Sequence, residues 1–287
     1  MTGALYSFSA EWLKLRKRPA VWVLGVILVA LAAVFQYAVL YFVVATQPRN
    51  ANLGAGLTAD DLRVSLHPLH WVQTTLGTFS TGSFGGPVAL ILGVLAYGSE
   101  YGWSTLRTVF TQGPGRLATV AGKVGVLAAI LGIYTLAVYA GSAGLSAAIG
   151  AVDGVVSPWP TVVDAVKGLV SGWLILGMWA GFGLVLSVLF RQSALAIGLG
   201  LIYAIVLEGV VLNLAAQVSW VRSALPWFPG WNATSLVRSF GSALPATATT
   251  ISQGPRVGGV QAAMVVAAFA VVFVAIAAAL LQIRDVA

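Results

Sequence analysis

The amino-acid sequence predicts an all-α membrane protein, a bundle of six transmembrane helices, and three observations carry that prediction. Hydrophobic residues make up 59% of the 287 positions and charged residues only 8%, against roughly 25% charged in soluble domains. A soluble fold of this size could not cover its surface with 15 basic and 8 acidic groups. The charges are also unevenly spread. Uncharged runs cover 19–48, 64–99, 124–152, 168–190 and 257–283, and a further run, 192–221, is broken only by Glu208. Each is at least as long as the roughly 20 residues a bilayer-crossing helix needs. The runs are continuously apolar rather than alternating, which argues against a β-barrel.

Residues 1–18 come first. Leu5, Phe8, Trp12 and Leu15 recur at three- and four-residue spacing, with Glu11, Lys14 and Lys17 elsewhere on the wheel. This pattern predicts an amphipathic helix in the headgroup layer, ahead of a turn at Pro19, rather than a frayed terminus. A signal peptide does not fit. The apolar run after Arg18 continues to about residue 45, far beyond the roughly 7–15 residues of a signal h-region.

Spans are expected near 20–45, 72–99, 124–150, 168–190, 193–214 and 259–282. The second is diluted by Thr74, Thr75, Thr78, Ser80, Thr81 and Ser83, whose hydroxyls can bond to carbonyls within the helix; Pro87 is expected to kink it. The fourth holds Gly168, Gly172, Gly177, Gly181 and Gly183. Such small residues let helix backbones approach closely, and we read them as packing within one bundle rather than as a dimer seam. Glu208 lies in the fifth span, with Asn213 five positions later. A lone charge at the bilayer centre costs at least about 2.5–3.5 kcal/mol, so it should face the bundle or a wet cavity. Two readings stand: a substrate-path site of Glu208 and Asn213, or a helix-end carboxylate reaching the outer headgroups. Between the last two spans, 215–258 carries Trp220, Trp227, Phe228 and Trp231 around Pro226 and Pro229. That predicts one or two short helices dipping into the outer leaflet.

Orientation follows from the basic residues. With the N-terminus inside, the inner segments hold Lys14, Arg16, Lys17, Arg18, Arg107, Arg116, Lys123, Arg191 and Arg284. The outer ones hold Arg49, Arg63, Lys167, Arg222, Arg238 and Arg256, in much longer stretches. Both termini are therefore expected in the cytoplasm. The same placement, at the ends of apolar runs, makes the net charge of +7 orientation information rather than a nucleic-acid surface.

Several chemistries are unsupported. The chain has no cysteine, hence no disulfide framework or metal–thiolate site. No G-x-x-x-x-G-K-[ST] loop occurs, since Gly122-Lys123 is followed by valine, so no nucleotide site and no enzyme of its own is expected. No G-x-S-x-G elbow is present. Histidine occurs only in His67-Pro68-Leu69-His70; two ligands around a proline are a poor metal site, and none is expected. Asn232-Ala233-Thr234 fits a glycosylation sequon, a pattern common by chance.

The connection between the second and third spans reads Gly98-Ser99-Glu100-Tyr101-Gly102-Trp103-Ser104-Thr105-Leu106-Arg107, then Gly113, Arg116 and Lys123. It resembles the first intracellular loop of ABC-2 type permeases, the membrane subunits of ABC exporters. There an acidic residue ends the second helix, a short coupling helix follows, and a spaced Arg and Lys lead into the third. Trp103-Ser104 stands where the family often has a glycine near the threonine, which leaves the helix register open by a residue. Ala10-Glu11-Trp12-Leu13-Lys14-Leu15-Arg16-Lys17 is similar to the family's N-terminal interface helix, and 215–258 looks like the re-entrant helices of its type V exporter fold.

The resemblance implies a single transmembrane domain over 1–287, with an interface helix at 1–18 that includes Glu11, Trp12, Lys14 and Arg16. It implies a cytoplasmic coupling region over 100–123, with Glu100, Tyr101, Gly102, Thr105, Arg107 and Arg116 facing an ATPase. The partners implied are two ATP-binding subunits, which hold ATP and Mg, a second permease copy or similar chain, and membrane lipids. This chain would bind no cofactor itself, sit in a bacterial cell membrane, and export a hydrophobic or amphipathic substrate. Length supports the coupling region: 24 residues (100–123) exceed the usual helix–helix connection. The alternative, that Arg107, Arg116 and Lys123 only fix topology and bind lipid phosphates, does not require that length. The competing functions are a secondary carrier, which usually shows internal repeats, and a non-transporting scaffold.

Overall fold

The computed structural model describes residues 2–54, 56–80, 82–102, 115–241 and 257–283. Among these residues the chain is helical, and the extended pairing is limited to one isolated bridge between Asn52 and Thr58. Helix α1, Thr2–Arg16, gives way to α2, Pro19–Ala45, whose proline stands at the first helical position. There its missing N–H costs nothing. α2 widens into a π-helical turn at Ala32–Ala38. The short α3, Ala59–Ser65, starts with a capping box: the Thr58 hydroxyl accepts from the Asp61 N–H, and the Asp61 carboxylate accepts from the Thr58 N–H.

The segment expected as the second span is two helices, α4 (Trp71–Gly77) and α5 (Gly85–Gly102). The hydroxyls that were expected to bond inside a continuous helix end it instead. Ser80 and Ser83 both donate to the Gly77 carbonyl, at 2.9 and 2.7 Å, and the Gly85 N–H donates to the Thr78 carbonyl at 3.0 Å. Gly82 takes a positive φ of 81° in the turn, a conformation that favours glycine. Pro87 then falls in the first turn of α5, where it opens a helix rather than kinking one.

α6, Arg116–Val152, is 37 residues long, about 55 Å at 1.5 Å per residue, well over the roughly 30 Å of a hydrocarbon core. Residues 116–123 of the expected coupling region are thus the first two turns of α6. α7, Val162–Phe190, is capped by Thr161, whose hydroxyl accepts from the Asp164 N–H. Arg191 ends it at a left-handed φ of 54°. α8 then runs Ser193–Leu201, passes through a π-helical turn at Ile202–Leu207, and continues as Glu208–Gln217. After the short α9 (Ser219–Ala224) and α10 (Pro229–Arg238), α11 spans Gly259–Ile283. Among the described residues five helices are long and apolar enough to cross a membrane: α2, α6, α7, α8 and α11. The apolar part of α5, Gly85–Gly98, is shorter.

α7 is the centre of the bundle, packed most extensively on α5 and α11. Its seam with α5 is backbone against backbone: a Cβ at Gly93 would overlap the Ala180 carbonyl, and one at Gly183 would overlap the Leu90 carbonyl. Gly168 meets Val72 and Tyr139, Gly172 meets Phe79, and Gly181 meets Phe273. These glycines are used within the bundle, as the sequence suggested. Gly177 has open space above it and lines an apolar groove of about 420 Å³ between α6, α7 and α11.

Candidate functional site

Two buried polar clusters carry the residues that the sequence singled out. The first lies where α1 crosses the start of α6. Glycines at 122 and 125 leave room for Ser7 and Phe8 of α1, so the two backbones come close. At that crossing Lys123 Nζ donates to Glu11 Oε1 at 2.8 Å, with the Lys123 side chain 1% exposed and that of Glu11 10%. Lys14 adds a second, more exposed cation at 3.6 Å from Glu11 Oε2. The Lys123 ammonium also lies 4.7 Å from the centroid of the Tyr97 ring on α5, within the range of a cation–π contact. Removing one member of a buried ion pair typically costs about 3–5 kcal/mol, because the other charge is left stranded.

Trp12 and Arg16 of α1 are less enclosed. Trp12 is half-buried and stacks on Phe8 at 6.2 Å, and the Arg16 carbonyl accepts from the Trp22 indole at 2.8 Å. Leu15 is buried, Phe8 and Trp12 pack against the core, and Leu5 is exposed, so the predicted apolar stripe meets the bundle from Phe8 onward. Glu11, placed by the sequence on the polar side of the wheel, faces the protein. Glu100, Tyr101 and Gly102 form the end of α5, and Arg116 is the first residue of α6. Thr105 and Arg107 lie outside the described residues.

The second cluster surrounds Glu208. The residue is 3% exposed, and its Oε1 accepts from the Gly230 N–H at 3.1 Å, at the start of α10. Tyr203 also hydrogen-bonds to Glu208. The two are five positions apart, a spacing that the π-helical turn at Ile202–Leu207 brings onto one side. An acid at a helix N-terminus completes free N–H groups and complements the dipole. Glu208 is thus turned towards α10 rather than to the surface of the chain. Asn213 follows on the same helix.

The histidines are not a paired site. His67 Nε2 is 2.9 Å from Asp153 Oδ2, and Arg63 Nε is 3.4 Å from Asp153 Oδ1, which ties the 46–71 segment to the end of α6. His70 is held below the usual histidine range by burial and by the neighbouring His67. Among the described residues no group of three or more potential ligands could hold a metal ion. Asn232 is fully buried, and its amide donates to the carbonyls of Pro226 and Phe228, so the sequon is closed in the folded chain.

Sequence reasoning missed Tyr97, Asp153 and Tyr203. Nothing local marks them. Lys123 and Glu11 are 112 positions apart, and His67 and Asp153 are 86 apart. No relative is found among curated proteins. The model of a family described as ABC-2 family transporter protein matches residues 7–207, from within α1 through the π-helical turn of α8. That match covers most of the chain and includes the α1–α6 crossing and both helix ends that bracket 103–114. The chain is an integral membrane protein of the ABC-2 transporter family.

Proposed function

We propose that the chain is the transmembrane permease subunit of an ATP-driven exporter. Two separate ATP-binding subunits, carrying ATP and Mg, would dock beneath residues 100–116, and a second permease would complete the pathway. The observation that carries this reading is the α1–α5–α6 junction, where α1 is pinned by the Glu11–Lys123 pair beside both helix ends that bracket the connection. Such a junction can pass a displacement of that connection to the long α6.

In this arrangement both termini are cytoplasmic, as the basic-residue asymmetry favours. The α4–α5 pair makes the second of six crossings, and α9 with α10 forms the re-entrant element at the outer side. The single domain lies in a bacterial cell membrane. A hydrophobic or amphipathic cargo fits the apolar helices, with Glu208 and Asn213 placed along its route. Tyr101, Thr105 and Arg107 present the contact to the ATPase, flanked by Glu100, Gly102 and Arg116. A secondary carrier usually shows internal repeats and several ion-binding polar groups in discontinuous spans; the sequence shows no repeat and offers only Glu208 as such a group.

Charge reversal at the contact tests the proposal. Arg107→Glu leaves the apolar helices, and hence insertion, intact, and should weaken ATPase binding or allow hydrolysis without transport. Normal assembly and transport by the variant would overturn the coupling role. Failure of any ATPase to co-purify with the wild-type chain would overturn the permease reading itself.

A further inference from the structure

We infer that Lys123 is a positioning residue that fastens α1 to both ends of the coupling segment, so that the three elements move as one when 103–114 is displaced. The inference rests on the permease reading above. Three elements meet at this one side chain. Lys123 ends the second turn of α6, its ammonium bonds Glu11 of α1 at 2.8 Å, and it lies 4.7 Å from the Tyr97 ring of α5. A second tie reaches the same stretch of α5, where Arg18 Nη1 donates to the Leu95 carbonyl at 3.3 Å. α5 ends five residues after Tyr97, and the helix resumes seven residues before Lys123.

The chemistry of the junction suits this role. Two apolar side chains of similar volume would hold α1 as firmly as a buried ion pair, or more so. What the pair adds is register. An apolar contact can slide along a helix, whereas a short charge-assisted hydrogen bond is lost when its atoms separate by an ångström or so. The glycine at 122 enforces the same register by admitting Ser7 at one place. Lys123 therefore fixes where α1 sits relative to α6, and Tyr97 fixes where both sit relative to α5.

The test uses a spin label on Ser9→Cys, an exposed α1 position in a chain without native cysteine. Wild type, Lys123→Met, Glu11→Gln and the exchanged pair Glu11→Lys/Lys123→Glu are compared in sealed liposomes, alone and with the ATPase. Lys123→Met should make the label more mobile and lower the substrate moved per ATP by at least about fivefold, the low end of usual coupling between sites, while the ATPase still binds. The exchanged pair keeps the tie between α1 and α6 but sets a carboxylate against the Tyr97 ring, so it should restore part of both, and Glu11→Gln should fall between wild type and Lys123→Met. An unchanged label, or an unchanged ratio of transport to hydrolysis, in Lys123→Met would overturn the inference. So would an exchanged pair that folds but restores neither. Should Lys123→Met fail to fold, Glu11→Gln decides by the same two readouts. If wild type binds no ATPase, the permease reading fails and the transmission with it; the label on the chain alone still decides whether the pair holds α1.

Discussion

α7 and α11 are neighbours of similar length that solve opposite problems. The most apolar window of α11 has a mean hydropathy of 3.0 but is only 17% buried, whereas that of α7 has 2.1 and is 61% buried. Hydropathy thus ranks them in the reverse order of their burial. In a bilayer the lipid tails are as apolar as the core, so an apolar side chain gains nothing by turning inward. What draws helices together there is close packing. α7 carries the glycines and the serines Ser171 and Ser187 that permit it, while α11 carries the valines and phenylalanines that suit lipid. Glycines mark the central helix; hydropathy marks the peripheral one.

That contrast can be broken by mutation. The largest effect is expected at the α5–α7 seam. Gly93→Val puts two methyl groups where a single Cβ already overlaps the Ala180 carbonyl, and overpacking of this kind should cost upwards of about 3 kcal/mol. Thermal unfolding in nanodiscs should show a markedly lower midpoint. An unchanged midpoint would mean that the seam is not the close-packed centre.

A smaller loss is expected where α8 meets α10. Glu208→Ala leaves the buried Gly230 N–H without its carboxylate, at a cost of about 1–3 kcal/mol. Glu208→Gln keeps an acceptor and should lose less. Hydrogen exchange should quicken in α10 and not in α7; equal quickening in both would remove the distinction between centre and periphery.

A third effect is confined to pH. The folded-state pKa of His70 is lowered from 6.5 by burial and by His67. Protonation is therefore easier in the unfolded chain, so the contribution of His70 is present above pH 6.5 and is lost as pH falls through the depressed folded value. Acidification should loosen α4 before it affects the α5–α7 seam, and His70→Gln should flatten that response. An identical pH profile in the variant would show that another group titrates. The smallest effect belongs to the lipid face of α11. Val272 is 48% exposed, and Val272→Ala should stay within about 0.5 kcal/mol of wild type. A larger loss would place a protein partner, not lipid, on that face.

Much of the fold was legible in the sequence. The start of α2, the end of α7 and the extent of α11 follow from Pro19, the charge at Arg191 and the charge-free run 257–283, whereas α7 starts at Val162, six residues before the expected 168. The short helices after α8 follow from aromatic residues set between prolines. The amphipathic α1 and the motif at 98–107 pointed to the family that the match over 7–207 shows. Less legible was the broken segment. Its threonines and serines suit a helix interior or a helix end equally well, and the Ser80 and Ser83 bonds to the Gly77 carbonyl form only once the turn has been made. The length of α6 was also underestimated, because residues 116–123 read as a polar connection until α1 covers Lys123.

The sequence by itself determined the membrane-protein class, the places where apolar helices run, and the family, because helix hydrogen bonds and transfer into lipid depend on residues close together in the chain. Only the tertiary structure decided that Glu11 meets Lys123, that Asp153 holds His67, and that Glu208 completes α10. Those pairings depend on which helix faces come together, and that is settled by where glycines let backbones touch across the bundle, not by the spacing of residues along any one helix.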